Sequence, residues 1–170
     1  MATARFVKAL AAVAMFNGVL YLSLSPEARA SNESDARRYT QELKSGKDAK
    51  TKINALNELG KLAAIMKSYV ETALPDIYKS LDDKDAGIRA AAAQAIGACD
   101  EPAEKVVPAL MKILKDDKDD SAKIGAVKGL TSVGPSAKDA IPLLRMIADD
   151  KKSTVAPQAQ AAIRAITQRN

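Results

Sequence analysis

The 170-residue chain predicts an all-α solenoid of about four stacked helix pairs. Three observations carry this reading. Apolar residues recur at helical spacing with a long period: Thr51, Ile88, Ala122 and Val155 open stripes that lie 37, 34 and 33 residues apart. Four residues on, alanine stands in every copy (Ala55, Ala92, Ala126, Ala159). Leu59, Ile96, Leu130 and Ile163 come next, then Leu62, Cys99, Val133 and Ile166. A proline opens a second apolar segment ahead of each later stripe, at Pro75, Pro108 and Pro142, as suits a helix start. Finally, aromatics are only 4%, and beyond residue 30 they reduce to Tyr39, Tyr69 and Tyr78, so the core must be built from Leu, Ile, Val and Ala.

The first 30 residues read as a secretory signal peptide. Arg5 and Lys8 supply a basic start, Ala9 to Ser25 an apolar run broken by Asn17 and Gly18, and Pro26 with Ala28-Arg29-Ala30 a small-x-small end. Cleavage is expected between Ala30 and Ser31, leaving residues 31–170 as the repeat domain; an uncleaved anchor is the alternative. Losing the leader removes Arg5, Lys8, Arg29 and Glu27, which lowers the net charge from +5 to +3. The expected location is exported: periplasm, cell envelope or secreted. No stable membrane span is expected after cleavage.

Taken in order, Ser31 to Asp35 reads as a short tail. The first A helix is expected over Ala36–Lys44, ending at Ser45-Gly46. Its B helix, about Ala49 to Ser68, carries one turn more than its counterparts. Later A helices are seen in LPDIYKSL from Leu74, VPALMKIL from Val107 and IPLLRMIA from Ile141. The B helix of the second copy follows Asp85, a side chain suited to capping its first turn. Repeats part at Asp100-Glu101-Pro102 and at Gly134-Pro135-Ser136, and the last B helix runs from Thr154 to Gln168.

An apolar-Pro opening of helix A, an Asp-rich turn, and apolar-Arg-x-x-Ala-x-x-Ala-Leu-Gly opening helix B together resemble the HEAT repeat, a member of the armadillo-like helical folds. The match is closest at Ile88-Arg89, Ala92, Ala95, Ile96 and Gly97; Lys52 and Lys123 replace the arginine in other copies, and Ala156 drops the charge. The resemblance implies a right-handed α-α solenoid, and a binding or scaffolding role without shared chemistry.

Composition narrows the chemistry. There is no histidine, which removes the commonest general base, the Ser-His and Cys-His nucleophile pairs and imidazole metal sites. Cys99 lies in the core stripe, and a reactive thiol needs exposure and a lowered pKa. The acidic turns (Asp82, Asp83, Asp85; Asp116, Asp117, Asp119, Asp120; Asp149, Asp150) do not follow the calcium-loop grammar: counted from Asp117, the sixth residue is Ala122 and the twelfth Lys128. Their expected role is turn capping. Neither catalysis, a cofactor nor a metal is expected.

Opposite the core stripe, the B-helix positions two, six and nine past its start should form a flat, neutral concave face. Its expected partner-binding residues are Ile53, Asn57, Gln94, Ile124, Lys128, Thr131 and Arg164, with Ile53 and Ile124 as exposed apolar points. The resulting reading is an exported, non-catalytic scaffold with a protein partner and no nucleic-acid client. Two alternatives stand beside it: an anionic polymer or lipid surface bound by the basic first pair (Arg37, Arg38, Lys44, Lys47, Lys50, Lys52, Lys61, Lys67), and an accessory subunit of an enzyme.

Overall fold

The computed structural model describes residues 12–16, 19–23 and 26–168. Beyond residue 26 the described chain is helical, and it forms the expected pairs. The A helices are α1 (Pro26–Ser45), α3 (Leu74–Ser80), α5 (Ala103–Asp116) and α7 (Ile141–Asp149); the B helices are α2 (Ala49–Ile65), α4 (Ala86–Ala98), α6 (Asp120–Val133) and α8 (Ala156–Gln168). Each A helix packs on its own B helix, and the B helices stack in chain order, α2 on α4 on α6 on α8. The core is one continuous layer between them.

The stripe reading holds at residue level. Ala55, Ala92, Ala126 and Ala159 are fully buried, as are Leu59, Ile96 and Leu130 one turn on. Only at the margins does burial fall: Thr51, Ile163 and Val133 are half-buried. Cys99 is buried, as a core position should be. Helix α2 has 17 residues against 13 in α4, so the extra turn is present, although it ends at Ile65 and gives way to a 3-10 turn at Lys67–Tyr69.

Three boundaries differ from expectation. Helix α1 starts at Pro26 and passes through Ala30 and Ser31 without a break. Pro26 suits a first turn, Glu27 complements the helix dipole, and Arg38 joins Asp35 at 3.0 Å and Glu42 at 3.5 Å while lying over the Tyr39 ring. The Ser-Asn-Glu-Ser-Asp run reads as a tail in sequence because its residues favour caps and turns. Among the residues of α1 whose burial is described, the first buried side chain is Ala36.

Pro75 and Pro142 occupy first-turn positions of α3 and α7, whereas Pro108 lies inside α5. In the second and fourth copies a 3-10 segment (Glu71–Ala73, Gly134–Ala140) precedes the proline; in the third, the turn after Pro102 is α-helical and is continuous with the rest of α5. The third difference lies in the expected leader. Strands β1 (Ala12–Phe16) and β2 (Val19–Ser23) pair antiparallel with Ala12 opposite Ser23. Residues 17–18 between them, like the rest of the expected leader up to residue 11 and at 24–25, lie outside the described residues.

Candidate interaction face and its edges

The B-helix face is narrower than the sequence predicts, and it is turned. Position six of each stripe is exposed in all four copies (Asn57, Gln94, Lys128, Ala161), and position ten is exposed or half-exposed (Lys61, Ala98, Ser132, Ala165). Positions two and nine are half-buried or buried in the first three copies and exposed in the fourth (Pro157, Arg164). Ile53 is half-buried, and a β-carbon on Gly87 would stand 2.9 Å from its Cδ1. Ile124 is likewise half-buried against the core. Thr131 is half-buried, and its hydroxyl donates to the Val127 carbonyl at 2.8 Å. Gly97 is buried.

An internal B helix is covered on three sides, by its own A helix and by both B neighbours, so only an arc one or two positions wide stays open. A sequence reading that assigns one buried stripe places the open face directly opposite it, and here that is too wide. Of the expected partner-binding residues, Asn57, Gln94, Lys128 and Arg164 are exposed, while Ile53, Ile124 and Thr131 serve the seams. Asn57 and Gln94 line one open cleft between α2 and α4, together with Asn54, Lys61, Ala64 and Ala98. Lys61 there is neutralised by Glu58 at 2.6 Å, which leaves amides and small side chains as the recognition chemistry.

The seams explain glycines that helix propensity disfavours. A β-carbon on Gly97 would meet the Gly129 backbone at 2.3 Å, one on Gly125 the Ala90 backbone at 2.4 Å, and one on Gly129 the Ala93 carbonyl at 2.3 Å. Helices α4 and α6 therefore touch backbone to backbone. Isolated glycines inside helical patterns are the sequence signal for this contact.

The Asp-rich edge is occupied by its own structure. Asp48 and Asp85 cap α2 and α4 through Thr51 and Ile88 N–H groups at 2.8 and 3.1 Å. Asp83, Asp117 and Asp150 each accept the N–H two residues on, at 3.0, 3.0 and 2.9 Å. Arg89 forks across to the next repeat, donating to both Asp117 oxygens at 2.6 and 2.7 Å and to Asp119 at 3.1 Å, while also donating to the Asp83 and Lys84 carbonyls. Lys52 makes the same step to Asp83 at 3.6 Å, so a cation ladder ties the first three copies. It stops at Lys123, whose pair at 3.9 Å is Asp120 of its own repeat.

Arg89 holds the Asp117 carboxyl below its usual range, chiefly through their hydrogen bond. Replacing Arg89 by leucine should cost about 2–3 kcal/mol at pH 7, less than for a fully buried pair, because it strands a carboxylate only 8% exposed. A depressed carboxyl stabilises the fold above its unfolded pKa of about 3.9 and loses that contribution as pH falls through the lower folded value. The gap in urea midpoints between wild type and Arg89→Leu should therefore narrow from pH 7 to pH 2.5, the remainder being the Arg89 bonds to the Asp83 and Lys84 carbonyls, which do not titrate. An equal gap at both would contradict this account.

The basic first pair is largely matched by acids. Arg38, Lys44, Lys52, Lys61 and Lys67 all sit in ion pairs, leaving Arg37, Lys47 and Lys50 exposed without one among the described residues. Cys99 donates from Sγ to the Ala95 carbonyl at 3.2 Å, and burial pushes its pKa up to about 12, the opposite of an activated thiol. No described helix is long and apolar enough to cross a membrane.

A family model for HEAT repeats matches residues 37–131, which spans the first three helix pairs as far as α6. No curated protein matches the chain.

Proposed function

We propose that this chain, which belongs to the HEAT-repeat family, is a non-catalytic scaffold that binds a protein partner along its B-helix face outside the cytoplasm. The observation that carries this reading is the exposed row Asn57, Gln94 and Lys128, set on stacked helices of which α4 and α6 meet at backbone distance. A rigid row of this kind presents its side chains at fixed spacing, so little ordering cost falls on binding. Cys99 is buried and Asp117 is bound within its own turn, so neither is offered on this face. Export rests on the tripartite leader; among the residues whose burial is described, the first buried side chain is Ala36, beyond the expected cleavage point.

The test is affinity capture from the native envelope fraction with the mature protein and with an Asn57→Glu, Gln94→Glu, Lys128→Glu triple variant. Wild type should recover a partner that the variant loses, at unchanged circular dichroism. Recovery of the same partner by both would sink the reading. Loss of wild-type capture on adding salt alone would favour the anionic-surface alternative instead.

A further inference from the structure

We propose that the C-terminal helix pair, residues 134–168, undocks from the first three as one unit, hinged at Gly134-Pro135. Four independent features of the third-to-fourth junction point the same way.

The seam is the first. Where α6 carries Gly125 and Gly129 to meet α4 at backbone distance, α8 carries Gln158 and Ala162 at the equivalent positions. Neither residue offers the backbone-to-backbone approach that the two glycines allow. The cation ladder is the second: Lys52 and Arg89 each reach the following repeat, Lys123 stays within its own, and Ala156 has no charge. Asp150 stands where Asp117 stands one repeat earlier, but its carboxylate serves only its own turn through the Lys152 N–H. Among the described residues, the polar side-chain contact that crosses the junction is the Thr154 hydroxyl on Asp120.

The third feature is the A segment itself. Helix α5 buries Val106, Val107, Leu110, Ile113 and Leu114, whereas of the equivalent residues in the fourth copy Ala140 and Leu144 are buried and Ile141, Ile147 and Ala148 are half-buried, and Met146 is 73% exposed. The fourth is the joint. Between the second and third copies, Lys67 clamps the turn by pairing with Glu101 at 2.9 Å and donating to the Asp100 carbonyl at 3.2 Å. The third-to-fourth joint has no such clamp among the described residues. It passes instead through Gly134 at φ 68° and ψ −138°, a backbone region that suits glycine.

In a solenoid, stability is a sum of nearest-neighbour interfaces, so the weakest interface opens first and the pair beyond it leaves together. Undocking would uncover the flank of α6 that bears Ile124, Val127 and Thr131, lengthening the face available to a partner.

Hydrogen exchange of the full chain under native conditions, read by mass spectrometry, tests this. Amides of α7 and α8 should exchange about a hundredfold faster than the slowest amides of α4 and α6, and with a common rate. Lys123→Arg, which can fork to Asp150 as Arg89 does to Asp117, should slow exchange in α7 and α8 while leaving α2 and α4 unchanged. Equal protection across α4, α6, α7 and α8 would overturn the proposal. So would a Lys123→Arg variant that leaves α7 and α8 as fast as before.

Discussion

Ile96→Ala is expected to lower the stability of the fold by an amount in the upper half of the range of about 2–5 kcal/mol for such truncations. Ile96 is fully buried at the third stripe position of α4, in the same layer as Leu59 and Leu130. The cost of such a truncation depends on how far the surroundings close over the void. Here they cannot follow, because α4 already meets α6 at backbone distance through Gly97 and Gly129, one residue along. A urea titration followed by circular dichroism should show a lower midpoint at an unchanged slope. Ile163→Ala, the same change at the half-buried counterpart in α8, should cost visibly less. Equal midpoints for Ile96→Ala and wild type would mean that the stripe register is wrong.

Gly129→Ala is the second large effect, and its sign is the informative part. On an exposed helix this exchange gains about 1 kcal/mol of propensity. At Gly129 the added methyl would stand 2.3 Å from the Ala93 carbonyl and 2.9 Å from Leu110 Cδ1, and the carbonyl cannot turn aside. Overpacking of this type costs about 1–3 kcal/mol, so the clash outweighs the propensity gain and the variant is less stable. Gly60→Ala provides the contrast: its nearest neighbour would be the Ala95 Cα at 3.2 Å, a distance that a small shift relieves. Thermal melts should therefore move downward for Gly129→Ala and stay near wild type for Gly60→Ala. A melt that rises for Gly129→Ala would show that the helices do not touch.

These two residues also mark the reach of the sequence. Ile96 is legible because the core stripe repeats four times and each copy confirms the others; the helix pairs, the extra turn of α2 and the burial of Cys99 come from the same pattern. Gly129 shows in sequence only as an isolated glycine in an unbroken helical run, which does not say which neighbour it meets. Periodicity reports which side of a helix is apolar, and small residues score weakly whichever side they occupy. The second and third buried flanks of each B helix, built from Gly97, Gly125 and Ala90, are therefore invisible to it.

The candidate face inherits that blind spot. Asn57, Gln94, Lys128 and Arg164 fall on open surface as expected, since polar side chains in a helical pattern have few other places to go. Ile53 and Ile124 look exposed in sequence because each stands apart from the stripe, yet they fill the gaps between helices. Arg89 is legible as a turn residue, but its reach to Asp117 depends on the stacking distance between repeats, which no single repeat encodes. The early start of α1 is hidden for another reason, the cap-forming character of Ser31, Asn32 and Ser34.

The central claim is that the B-helix row docks a protein partner. The most direct measurement places a photo-crosslinking residue at Gln94, in the middle of that row, and in a second sample at Lys112, exposed on the A-helix side. Illumination in the native envelope should join the Gln94 sample to a discrete partner and leave the Lys112 sample unlinked. A partner captured through Lys112 but not through Gln94 would contradict the account.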